Sequence, residues 1–171
     1  MRRATVAIAA LCVTSPLAAQ DEPIKQRTIE DAHRFFSKLG GQGAVVQFLV
    51  GNWKGEVDVT GIAPGSSCVT VISVNPTSVR WVGSPPKQRI AIPTSIDLEW
   101  TTQPNVEGAG LPRIATSGHY AGSAWGIRFA NGWTPAYNYL LFDVAQSFSG
   151  RMVEAAEFLR EKCQLQSDTG F

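Results

Sequence analysis

The hydrophobic pattern of this chain changes period twice, and this order restricts the fold more than any other feature. Ile29, Ala32, Phe36 and Leu39 recur at helical spacing, which makes one apolar stripe. Thr28 with Asp31 resembles a capping box, Asp standing for the usual Glu or Gln. Gly40-Gly41 supplies the stop. From Trp53 the period drops to two: Trp53, Gly55, Val57 and Val59 alternate with Lys54, Glu56 and Asp58. Helical spacing returns with Met152, Ala155, Ala156, Leu159 and Cys163, with Arg151, Glu154, Glu157, Arg160 and Lys162 opposite and Phe158 at the flank. Ser149 or Ser147 can cap this last helix.

Between the helices the pattern predicts strands over 53–59, 68–74, 79–82, 89–92, 96–100, 114–120, 125–130 and 137–144. Turn chemistry separates several of them, at Ala63-Pro64-Gly65, Asn75-Pro76 and Ser84-Pro85-Pro86. Ile96, Leu98 and Trp100 alternate with Asp97 and Glu99, the mark of a strand with one face in water. Residues 44–50 are apolar around Gln47, and periodicity alone does not separate a helical turn from a strand there. Residues 102–112 carry two prolines and two glycines without periodicity and are expected as the longest loop.

Strands in succession with short turns mean an antiparallel sheet, not βαβ units. The expected fold is α+β: an N-terminal helix, a curved meander or partly closed barrel of seven to eight short strands, and a C-terminal helix packed on it as a lid. This order of elements resembles the pleckstrin-homology-like architecture. The resemblance is one of element order alone, without a shared motif, and implies no function.

The start of the chain bears on compartment. Arg2 and Arg3 precede an apolar run over 4–13 interrupted only by Thr5, then Pro16 and Leu17-Ala18-Ala19. That order is the signature of a signal peptide over 1–19 cleaved before Gln20. The run is too short to span a bilayer, which takes about 20 apolar residues. Leu11 before Cys12 is unlike a lipoprotein site. Ala4 and Thr5 after the arginine pair are unlike a twin-arginine signal, so general secretion is expected. Residues 20–27 are expected as a flexible leader, 28–165 as one domain and 166–171 as a frayed tail. The expected location is the periplasm or the medium, with no membrane anchor after cleavage.

Export alters the meaning of the cysteines. Cys12 leaves with the signal, and Cys68 and Cys163 remain, an even pair where disulfides persist. Two unrelated buried thiols are the alternative; the compartment favours a bond. Cleavage also removes two of fifteen basic residues and none of fourteen acidic ones. A near-neutral domain without a basic cluster lacks the footprint of a nucleic-acid binder.

No nucleophile elbow, P-loop, metalloprotease helix or dinucleotide fingerprint occurs, and no cofactor is expected. Two cysteines and two histidines, widely dispersed, do not make a structural zinc site. His33 reads as a partly exposed helix residue. His119, at a strand end in Ser117-Gly118-His119-Tyr120, could pair with Ser117 or Ser123 as a nucleophile–base couple, although an exposed strand-end histidine is simpler. Glu56 with Asp58 and Asp97 with Glu99 each share a strand face. Such pairs can hold Ca²⁺ or cleave glycosides, but a solvated sheet face explains them more simply.

Aromatic residues gather around two hairpin turns: Tyr120, Trp125, Trp133, Tyr137 and Tyr139. Trp133, between Asn131-Gly132 and Pro135, falls on a connection beside Tyr137. Trp133, Tyr137, His119 and Tyr120 are the candidate contact residues for a small molecule, glycan or protein. The commoner arrangement for such a tryptophan is a ring folded back onto the barrel end. The expected function is that of a non-enzymatic binding or accessory protein. A divergent hydrolase using His119 with a nearby Ser or carboxylate, and a structural partner in an envelope complex, are the alternatives.

Overall fold

In the computed structural model, residues 28–66, 68–102, 104–114, 120–130, 133–134, 136, 138–143 and 148–169 are described. Thr28 caps α1 (Ile29–Gly40). Its hydroxyl accepts the Asp31 N–H at 3.1 Å, and the Asp31 carboxylate accepts the Thr28 N–H at 3.3 Å, so two of the helix's orphan donors are satisfied reciprocally. The helix buries Ala32, Phe36 and Leu39. It also buries His33, contrary to the partly exposed position expected from sequence. The buried face is wider than the apolar stripe, because His33 meets a polar partner. Thr70 Oγ1 lies 2.9 Å from His33 Nδ1 and accepts the Trp100 Nε1–H at 2.9 Å.

Residues 44–50 resolve as a strand, β1 (Ala44–Val50). They lack alternation because β1 is central and covered on both faces. Ala44, Val46 and Phe48 enter the main core, while Val45 joins a second cluster with Ala124 and Leu141. A two-residue turn with Gly51 at φ 58° returns the chain into β2 (Trp53–Pro64). The register of β2 shifts between Val59 and Gly61, and such bulges bend a strand. The first half of β2 pairs with β1 and with the short β4 (Arg80–Trp81). The second half pairs with β3 (Val69–Val74), which pairs in turn with β5 (Ser95–Glu99). A 3₁₀ turn (Trp100–Thr102) leads to β6 (Asn105–Ile114), followed by β7 (Tyr120–Phe129) and β8 (Asn138–Phe142).

The sheet order is β5-β3-β2-β1-β8-β7-β6, with β4 beside β2. All the pairs are antiparallel, and the sheet curls into a half-barrel. It consists of two meandering arms zipped together where β1 meets β8, Val46 opposite Leu140. Two expectations need correction. Residues 89–92 form no strand; they are irregular, with Ile92 packed on the core. Residues 102–112 are not a loop, since most of them belong to β6. The β6–β7 register breaks between Glu107 and Leu111 and again between Leu111 and Arg113, where the glycines and Pro112 fall. Those breaks erase the alternation, and an edge strand tolerates the proline.

Both helices pack into the same core. Phe36 of α1 stacks on Trp100 with centroids 5.6 Å apart and lies 6.1 Å from Phe142 of β8. The second helix, α2 (Ser149–Thr169), buries Met152, Ala156, Leu159 and Cys163. It continues beyond the point where fraying was expected. Cys163 and Cys68 are placed at disulfide distance, with Cα atoms 5.5 Å apart. Among the described residues no helix is long and apolar enough to cross a membrane.

Candidate functional site

A groove runs along β5, the terminal strand of one arm. Ile96 and Leu98 are buried, whereas Ser95, Asp97 and Glu99 are exposed. The backbone shows the same division. Thr94 C=O accepts from Val74 N–H and Trp100 N–H donates to Cys68 C=O, both at 3.0 Å. Even-numbered positions therefore turn their peptide groups to β3, and Ser95, Asp97 and Glu99 turn theirs outward. Thr102 Oγ1 donates to the Glu99 carbonyl at 2.7 Å. The strand borders this groove of about 420 Å³, whose lining combines residues 93, 95–97 and 99 with Thr102, Ala130 and Trp133.

Trp133 forms a fixed wall of this groove. Its ring packs 4.7 Å from Phe48 of β1, and its Nε1–H donates to Ala91 C=O at 3.3 Å. Phe48 is itself held edge-on by Trp81 at 5.5 Å. Phe48 reaches that position because Gly55, on the neighbouring strand, has no Cβ to obstruct the ring. The tryptophan is thus half-buried and folded back on the barrel, and still borders the groove.

Of the four sequence candidates, only Tyr120 and Trp133 fall within the described residues, and they lie at opposite ends of β7. Tyr120 opens β7 and Trp133 lies beyond the other end of that strand; at about 3.3 Å per residue the two are roughly 30 Å apart along the chain. His119 and Tyr137 lie outside the described residues. Asp97 and Glu99 are exposed, as the alternation requires, and both line the groove. Ser95, Thr102 and Ala130 carry no sequence signal of their own. Their role follows from β5 being terminal, which depends on strand order and not on local pattern.

Glu56 departs from the expectation of a solvated face. It is fully buried, accepts from Gln47 Nε2 at 3.1 Å and pairs with Arg80 Nη2 at 2.9 Å. The same guanidinium nitrogen meets Asp58, which is half-exposed, at 2.6 Å. Glu56 sits in a row of cross-strand neighbours on the outer sheet face: Arg128, Tyr139, Gln47, Glu56 and Arg80, from β7 to β4. The hydrogen bond to Asp58 is the main reason Arg80 is held above the ordinary arginine value. Burial opposes this, while Glu56 and the two negative charges add to it. Gln47, Glu56 and Arg80 are hydrogen-bonded to one another within the row, and their chemistry is that of a structural ion pair.

A smaller groove lies between the helices, bordered by Phe35, Phe158 and Ala155, with Arg151 stacked 5.5 Å above Phe35. Among the described residues no His, Cys, Asp and Glu side chains group as a metal centre. Comparisons with protein-family models, curated proteins and solved structures found no match to this chain.

Proposed function

We propose that the chain is an exported domain that binds a ligand without transforming it, with the groove between β5 and Trp133 as its site. The observation that carries this reading is the fixed aromatic wall. A tryptophan anchored by Phe48 and Ala91 offers its contact surface with little ordering cost, which favours binding. Asp97 and Glu99 on the facing strand supply orienting negative charge. Export is supported by the signal-like start and is compatible with the cysteine pair at disulfide distance.

No specific observation favours the other two readings. The hydrolase draws on His119, outside the described residues. The large apolar side chains exposed among the described residues are Leu49, Trp53 and Leu165. They are shared between the β1–β2 hairpin and the far end of α2, not gathered into the broad patch an obligate partner would cover.

The test is a fragment screen on isotope-labelled protein. Binders should shift the Trp133 Nε1–H resonance together with the amides of Ser95, Asp97 and Glu99. Binders confined to the groove between the helices would overturn the assignment. Turnover of nitrophenyl esters or glycosides that disappears in His119→Ala would overturn the non-catalytic reading.

A further inference from the structure

We infer that the groove receives an extended peptide that adds to β5 as a further antiparallel strand and carries basic side chains two residues apart. This rests on the groove being the ligand site. Three features of the strand point to it. First, β5 ends the sheet, and the outward peptide groups of Ser95 and Asp97 have no strand beside them among the described residues. Such an edge is a ready template for another chain. Natural edges are blunted by charge, lysine above all, by an internal proline or by a bulge; the charges on this edge are the carboxylates of Asp97 and Glu99, which repel acidic strands and admit a basic one. Here Pro93 stops short of the strand, and the β3–β5 register runs without a shift from Ser95 to Glu99.

Second, the open volume is in the required place. An added strand lies about 4.8 Å from its neighbour and advances about 3.4 Å per residue. The groove follows β5 from Ser95 to Glu99, the length of a five-residue segment. Trp133 stands near the Pro93 end, and Thr102 caps the Glu99 carbonyl at the other, so the added strand has two natural limits.

Third, the side chains set the chemistry of the occupant. Directly opposed residues of an antiparallel pair share a face. Asp97 and Glu99 both point to the exposed face, so the residues opposite them lie beside two carboxylates. Lysine or arginine at alternate positions satisfies both, and acidic residues there meet like charge. Trp133 adds an aromatic face at the end of the run, where an apolar or cationic side chain can rest.

The test uses blocked pentapeptides of valine with lysine at positions one and three, opposite Glu99 and Asp97, with glutamate at those positions, and with lysine at positions one and two. Only the first should bind at low salt. It should shift and protect from exchange the amides of Ser95, Asp97 and Glu99. The Asp97→Asn/Glu99→Gln double variant should keep the native spectrum elsewhere and lose roughly tenfold in affinity, as two exposed cross-strand charge pairs would supply. Equal binding by the glutamate peptide, or unchanged affinity in the double variant, would overturn the peptide assignment. A concentration-dependent dimer that disappears in Lys87→Ser/Arg89→Ser would overturn it too, in favour of a second copy of the chain. If saccharides or small fragments move the groove resonances and the peptides do not, the groove remains the site and the peptide falls. If nothing moves them, both readings fall.

Discussion

Gly55 lacks a side chain where the ring of Phe48 lies, and the position of Trp133 depends on that vacancy. Gly55→Ala should push Phe48 away and cost about 1–3 kcal/mol in chemical denaturation, the range for overpacking. It should also shift the Trp133 Nε1–H resonance, although residue 55 does not border the groove. An unchanged resonance would mean that Phe48 does not position Trp133. Glu56 offers a second residue-scale test. Glu56→Ala leaves Gln47 and Arg80 without their buried acceptor. It should cost about 2–4 kcal/mol, below the figure for a fully enclosed pair because Arg80 keeps part of its surface in water. The raised value of Arg80 stabilises the fold below the unfolded arginine value and ceases to do so only as pH rises through the folded one. It therefore adds no pH dependence near neutrality. At this scale alternation revealed which face Glu56 and Asp58 share, but not whether neighbours cover that face. Gln47 and Arg80 do so from strands 9 and 24 positions away in sequence. The burial of His33 is hidden in the sequence for the same reason, since its partner Thr70 is 37 positions distant.

At the scale of elements, α2 is attached in two ways. Its apolar stripe buries Met152, Ala156 and Leu159, and Cys163 meets Cys68 just before β3. A cross-link closing 95 positions contributes at most about 4.7 kcal/mol by chain entropy. Reduction should leave α2 docked by its stripe but less firmly held. Amide exchange over 152–163 should then accelerate before exchange in β1 and β2 does, as mass spectrometry after a reduction step would show. Uniform acceleration across the sheet would mean that the helix and sheet open as one unit. The helices were legible because a one-sided stripe repeats over several turns, and the cysteine pairing because the signal-like start and the stripe point the same way. The strand β6 was not legible. Its register breaks at glycines and Pro112 remove the period by which a strand is recognised. Residues 89–92 show the opposite failure: their apolar content packs on the core and accepts the Trp133 indole without joining a ladder.

For the whole molecule, the decisive contact is the pairing of β1 with β8, which joins two arms that are otherwise local meanders. Val46 and Leu140 face each other across more than ninety positions of sequence, so this pairing carries the largest loop-closure cost of the sheet. The Cys68–Cys163 link shortens the connection, because the path through the bridge is about half as long. Halving a loop lowers its closure cost by about 0.6 kcal/mol, close to a threefold change in rate. Topology sets the barrier in such sheets, and the transition state must already hold the nonlocal arrangement. Folding of the Cys68→Ser/Cys163→Ser variant should therefore be about threefold slower than that of the bridged chain. Val46→Ala and Leu140→Ala should each destabilise by about 1–4 kcal/mol, with a substantial part of the loss in the folding rate. Leu98→Ala, on the terminal strand β5, should act chiefly on unfolding. Stopped-flow chevrons separate these cases. If the bridge leaves the folding rate unchanged and Val46→Ala acts only on unfolding, the arms join after the barrier. The sheet would then fold as two independent meanders that dock late, with β5 in place before Ala130 and Trp133 of the other arm complete the groove.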